Sequence, residues 1–159
     1  MVKLEMIEDA RDDAIAAWFA GRLRAALAQS PEIAVTVPGG STPFPIFDLL
    51  AKEDLPWQRI SVWPGDDRIV EEDHPASNVG KIRARLEPAG APIVDPLPPE
   101  APFDRLSLTI PSLTDSDEIM FVIRGADKRA VFDAAVQGEN DLPIARLLKA
   151  ARHKVTCFC

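Results

Sequence analysis

Short apolar, β-branched runs alternate along this chain with longer segments whose apolar residues recur at helical spacing. Ile33-Ala34-Val35-Thr36-Val37 and Ile60-Ser61-Val62-Trp63 read as buried strands. Residues 118–123 and 155–159 read the same way, and Leu106-Ser107-Leu108-Thr109-Ile110 alternates as a strand does. In residues 9–29, Ile15, Trp18, Phe19, Leu23, Ala26 and Leu27 form one apolar stripe, with Asp9 or Asp12 available as a cap. Further helices are expected over 43–52, 79–86, 126–136 and 142–150. Strands that alternate with helices require crossover connections, hence an α/β fold: a mostly parallel sheet flanked by helices, Rossmann-like. A length of 159 residues suits a single domain spanning 1–159.

Sheets of this kind bind ligands beyond the carboxyl ends of their strands. Three polar loops lie there: residues 38–43, 64–68 and 124–128. In the first, Gly39 and Gly40 allow a tight turn and close backbone approach, and Ser41 and Thr42 add hydroxyl donors before a helix start. That combination suits a phosphate, and equally a tight turn with a Ser/Thr cap. It is not a P-loop, a dinucleotide fingerprint or a nucleophile elbow, whose glycine and lysine spacings are missing. In the second loop, Arg68 offers a bidentate phosphate contact, and Asp66 or Asp67 can hold Arg68 or bind a sugar hydroxyl. In the third, Lys128 follows Arg124 into a first helical turn, where the dipole disfavours a cation unless an anion binds. His74 is a possible base or a loop-orienting surface histidine, and His153 reads as a surface residue.

Net charge is −7 and the sequence pI about 4.8, which argues against a nucleic-acid partner but leaves room for a local cationic site. No apolar run reaches the roughly 20 residues of a membrane helix, and the start lacks a signal-like apolar stretch. Cys157 and Cys159 read as small hydrophobes of a reduced compartment, with no second Cys/His cluster to make a metal site. A cytoplasmic location follows as an expectation. Of 15 prolines, Pro88, Pro92, Pro96, Pro98, Pro99 and Pro102 crowd one stretch, the only compositional break in the chain.

Taken in order, Pro38-Gly39-Gly40-Ser41-Thr42-Pro43, Trp63-Pro64-Gly65-Asp66-Asp67-Arg68 and Asp73-His74-Pro75-Ala76-Ser77-Asn78 resemble the 6-phosphogluconolactonase family. The later segments 105–111, 121–128 and 142–146 agree, so the resemblance covers residues 5–159. It implies a fold related to sugar-phosphate isomerases and deaminases. It also implies hydrolysis of 6-phospho-D-glucono-1,5-lactone to 6-phosphogluconate, in the pentose phosphate and Entner–Doudoroff routes, without metal or cofactor. By the same resemblance Gly39, Gly40, Ser41 and Thr42 line the sugar-phosphate site and Asp67 belongs to it. Arg68, Arg124 and Lys128 supply positive charge, and Ser77 and Asn78 shape the adjacent loop.

One block of the family pattern is absent. Members carry Gly-x-Asp-Gly-His-x-Ala-Ser between the Ser-Asn loop and the Arg-Leu-Ser-Leu-Thr strand, and its histidine activates water against the lactone carbonyl. Nothing in residues 79–105 matches, so no catalytic residue is assigned, and one β–α block is missing with the join near Val94-Asp95. A sheet without that unit has a gap or an altered order and exposes apolar faces. Two alternatives follow: an inactive sugar-phosphate-binding homologue, or a sugar-phosphate isomerase or deaminase.

Overall fold

The computed structural model describes residues 3–98 and 100–159. The elements run β1 (Leu4–Ile7), α1 (Asp12–Gln29), β2 (Ile33–Val37), α2 (Phe44–Leu50), β3 (Ile60–Pro64), β4 (Asp66–Arg68) and α3 (Asn78–Leu86). Further along the chain come β5 (Arg105–Ser107), α4 (Ile110–Thr114), β6 (Ile119–Val122), α5 (Ala126–Gln137), α6 (Pro143–Ala150) and β7 (Val155–Phe158). The fold is α/β with mostly parallel pairing. It forms two compact units, one of Arg11–Ser107 and one of Met1–Ala10 with Leu108–Cys159.

In the Arg11–Ser107 unit, β2 and β3 pair in parallel, Ile33 opposite Ile60 through Val37 opposite Pro64. On the far side of β3, Ile93 makes a parallel bridge to Val62. Helix α1 packs against α2 and buries Ile15, Ala16, Ala20, Leu23 and Leu27, the last three joining the core that holds Val37, Ile60 and Val62. Ala26, expected on the stripe, is exposed, and the small Ala16 and Ala20 are buried instead. Asp12 lies inside the first turn rather than capping it; with Asp13 it offsets the positive helix end. The core joins Leu23, Leu27, Val37, Phe47, Leu50, Leu55, Trp57, Ile60, Val62, Ile82 and Leu86. Strand β5 is shorter than its sequence suggested. It runs antiparallel to β4, because Thr109 caps α4 through its hydroxyl and turns the chain into a helix at Ile110.

In the other unit, β7 lies between β1 and β6, parallel to both. Val155, Thr156, Cys157 and Phe158 are all buried, as a central parallel strand covered on both faces should be. Phe132 of α5 packs on Phe121 of β6, ring centroids 5.7 Å apart. Arg129 joins this unit's parts: it donates to Glu8 at 2.8 and 2.9 Å and to Asp133 at 2.9 and 3.0 Å. Strand β1 had no clear sequence signal, since four half-buried residues are too few to show a period.

Candidate functional site

The turn after β3 commits its two aspartates to different partners. Asp67 is 1% exposed, and its carboxylate meets three backbone N–H groups. Oδ1 accepts from Arg68 at 2.8 Å and Asn78 at 2.6 Å, and Oδ2 accepts from Val79 at 2.8 Å. Ser77, also buried, accepts from Gly80 N–H at 3.0 Å. The opening donors of α3 are therefore satisfied from within the protein, and the helix's positive end faces a fixed carboxylate. Asp66 accepts instead from Arg105 Nε at 3.0 Å. Neither aspartate holds the Arg68 guanidinium.

Arg68 is half-buried and its guanidinium has no hydrogen bond or ion pair among the described residues. A half-buried cation without a partner is unusual, because each of its N–H donors gives up water contacts without compensation. The loop of residues 38–42 has the same character. Gly40 sits at φ 111°, a left-handed conformation that favours glycine. The N–H groups of Gly40, Ser41 and Thr42 donate to no backbone group among the described residues. The hydroxyls of Ser41 and Thr42 are likewise unpaired there. Helix α2 adds few donors, since Pro43 and Pro45 lack N–H groups, so the unpaired donors here are those of the loop itself.

Two close approaches join these pieces. A Cβ on Gly39 would lie 2.0 Å from Asn78 Oδ1, so only glycine lets the loop rest on the start of α3. Asn78 Nδ2 donates to the Asp66 carbonyl at 2.9 Å, tying the 66–68 turn to the same point. The 71–77 segment is held by Glu72, which pairs with Arg83 of α3, and by Gly80, whose missing Cβ admits the Glu72 carbonyl. The Arg83 guanidinium, flanked by Glu72 and Glu87, is held more firmly protonated than usual. The Arg105–Asp66 and Arg83–Glu72 pairs join residues 39 and 11 positions apart, too far for local pattern to show them. Gly39, Gly40, Ser41, Thr42, Asp67, Arg68, Ser77 and Asn78 thus share the Arg11–Ser107 unit.

Arg124 and Lys128 belong to the other unit, at the turn from β6 into α5. Residues 124–128 line a shallow cavity of about 270 Å³. Gly125 caps α5 at φ 91°. Arg124 donates to the Ala10 carbonyl at 2.7 Å, whereas Lys128 is exposed with no ion pair among the described residues.

His74 is oriented by its own loop. Its Nδ1 accepts from the Ala76 N–H at 3.0 Å, so the neutral ring carries its proton on Nε2 and keeps no free lone pair for a base. His153 is exposed. Among the described residues no cluster of three or more His, Cys, Asp or Glu is placed to hold a metal ion.

Parallel strands joined through helices, with a glycine-rich loop after β2 and the Arg68 guanidinium unpaired in β4 among the described residues, define the chain as an α/β protein. The family model for glucosamine-6-phosphate isomerases/6-phosphogluconolactonase matches residues 8–96 and 87–157, and the chain belongs to that family. A Caulobacter vibrioides protein named 6-phosphogluconolactonase is 27% identical over 223 aligned positions, covering 97% of this chain and 95% of the relative. A Neisseria meningitidis protein of the same name is 25% identical, covering 81% of this chain and 85% of the relative. Crystal structures named 6-phosphogluconolactonase from Thermotoga maritima and Shewanella baltica superpose with TM-scores of 0.82 and 0.80, at 21% and 18% identity. The first covers 99% of both chains, the second 100% of this chain and 98% of the other; these likenesses show the fold. An alignment of 223 positions against 159 residues leaves at least 64 positions where the Caulobacter relative has no counterpart here. The family match is broken into two stretches that share residues 87–96.

Proposed function

We propose that this chain is a 6-phosphogluconolactonase, acting on 6-phospho-D-glucono-1,5-lactone to give 6-phosphogluconate in the cytoplasm, within the pentose phosphate and Entner–Doudoroff routes. The unpartnered, half-buried Arg68 carries the reading. Together with the free donors of Gly40, Ser41 and Thr42 in the same unit, it suits a phosphate dianion. Arg124 and Lys128 are proposed as further cations for the substrate. Asp67, Ser77 and Asn78 act by holding the loops in place. In the reaction, a water oxygen bonds to C1, the bond from C1 to the ring oxygen breaks, and a water proton passes to that oxygen. Positive charge near the developing oxyanion lowers the barrier.

A second reading has its own observation. Neither histidine is set to take the water proton, and the Gly-x-Asp-Gly-His pattern is absent between Asn78 and Arg105. This favours a sugar-phosphate binder whose chemistry is lost.

The test is calorimetric binding of 6-phosphogluconate, alongside lactone hydrolysis followed by pH-stat. Arg68→Ala removes a charge-assisted contact of about 1.5–3 kcal/mol, so binding should weaken roughly 10- to 150-fold. Hydrolysis above the spontaneous rate supports the lactonase, and binding without it supports the second reading. Binding unchanged in Arg68→Ala overturns both.

A further inference from the structure

We infer that Arg105 is a second cation for the ligand's phosphate, shared between Asp66 and that ligand; this rests on the sugar-phosphate reading above. Strands β4 and β5 pair antiparallel, with Arg68 directly opposite Arg105 and Asp67 opposite Leu106. Residues opposite one another in such a pair put their side chains on one face, with Cβ atoms about 4.5–5.5 Å apart. Alternation along each strand sorts the remainder. Asp67 and Leu106 take the inner face, where Asp67 is buried. Asp66, Arg68 and Arg105 share the outer face, the first two half-buried and the third exposed.

That outer face brings two guanidiniums and one carboxylate together. Like charges directly opposite weaken a ladder, so the arrangement calls for a compensating anion. Asp66 supplies it only in part. Arg105 leans diagonally across the ribbon and gives both Nε, at 3.0 Å, and Nη2 to the same oxygen, Asp66 Oδ2. Its Nη1 makes no hydrogen bond among the described residues, and the Arg68 guanidinium makes none there either. One positive charge is left over, spread across two neighbouring forks with unused donors. The Asp66–Arg105 pair is itself partly open to solvent and contributes little to stability, so it does not account for two arginines facing each other. A phosphate dianion does, because it offers acceptor oxygens to both forks at once. The same turn is tied to the glycine loop: Asn78 donates to the Asp66 carbonyl at 2.9 Å, and its side chain lies against Gly39. Asp66 thus restrains Arg105 and competes with the ligand for it.

Calorimetric titration of the full chain with 6-phosphogluconate and with inorganic phosphate, at one low ionic strength, tests this. Arg105→Gln should weaken binding of both probes about tenfold. Asp66→Asn should tighten binding of both, roughly two- to fivefold, because the competing carboxylate is gone. An Arg105 that only fastens β5 to β4 gives the opposite sign, since loss of its partner would then loosen the site. Wild-type affinity in Arg105→Gln, while Arg68→Ala is weakened, overturns this inference and leaves the sugar-phosphate reading standing. Weaker binding in Asp66→Asn also overturns it. A wild-type chain that binds neither probe overturns that reading and this inference with it.

Discussion

Replacing Asp67 by asparagine should destabilise the Arg11–Ser107 unit far more than the same change at its neighbour Asp66. The two side chains adjoin in sequence but differ in environment. Asp67 is 1% exposed and accepts three backbone N–H bonds, at 2.6, 2.8 and 2.8 Å. Bonds to a charged acceptor contribute about 1.5–3 kcal/mol each, against about 0.5–1.5 for a neutral one. In Asp67→Asn the amide oxygen keeps the Arg68 and Asn78 N–H groups at neutral strength, a loss of about 1 kcal/mol apiece. The amide nitrogen then faces the Val79 N–H, donor against donor, at a further cost of about 1–3 kcal/mol. The expected total is about 3–5 kcal/mol. The Asp66–Arg105 pair has side chains 25% and 57% exposed, so Asp66→Asn should cost no more than about 1 kcal/mol. Urea unfolding followed by tryptophan fluorescence reads the difference, since Trp18, Trp57 and Trp63 all lie in this unit. A cost below about 1 kcal/mol for Asp67→Asn, or equal costs at both positions, would refute the reasoning.

Gly80→Ala should also destabilise the unit, by more than about 2 kcal/mol, although alanine is the better helix former. Its Cβ would lie 2.1 Å from the Glu72 carbonyl oxygen, a backbone atom that cannot swing aside; urea titration of the variant checks this. Burial pushes the Cys157 thiol up to about 12 and also raises that of Cys159, which is only half-buried. Iodoacetamide at mild alkaline pH should therefore modify Cys159 first and Cys157 only on unfolding, as peptide mass mapping would show. Hydrogen bonds from Arg129 hold the Glu8 carboxyl below its ordinary 4.5. The folded value being the lower, this stabilisation is full above the ordinary value and fades as pH falls through the depressed one. Melting temperatures of wild type and Glu8→Gln should thus differ at neutral pH and converge in strong acid; an undiminished gap would count against the pair.

Most strands and helices were legible because local pattern decides them, whereas the short β1, β4 and α4 were not, and the loops that matter end strands whose β-branched runs are plain in the sequence. What those loops do was less legible. Asp66-Asp67-Arg68 looks like three ligand-facing charges, yet Asp67 is committed to N–H groups 11 and 12 residues onward and Asp66 to Arg105, 39 residues away. Of the three side chains, that of Arg68 is the one left unpaired among the described residues, and nothing local to the tripeptide could have shown which it would be.

The strands carry a second trace. Ile33–Val37 and Ile119–Val122 have the near-continuous apolar composition of strands covered on both faces. In the structure Ala34 and Thr36 are exposed, and every residue of Ile119–Val122 is only half-buried, while Val155–Phe158, equally apolar, is wholly buried. Composition this apolar is kept where a strand has neighbours on both sides. Ile33–Val37 and Ile119–Val122 each have one strand partner among the described residues, so their composition alone overstates their cover.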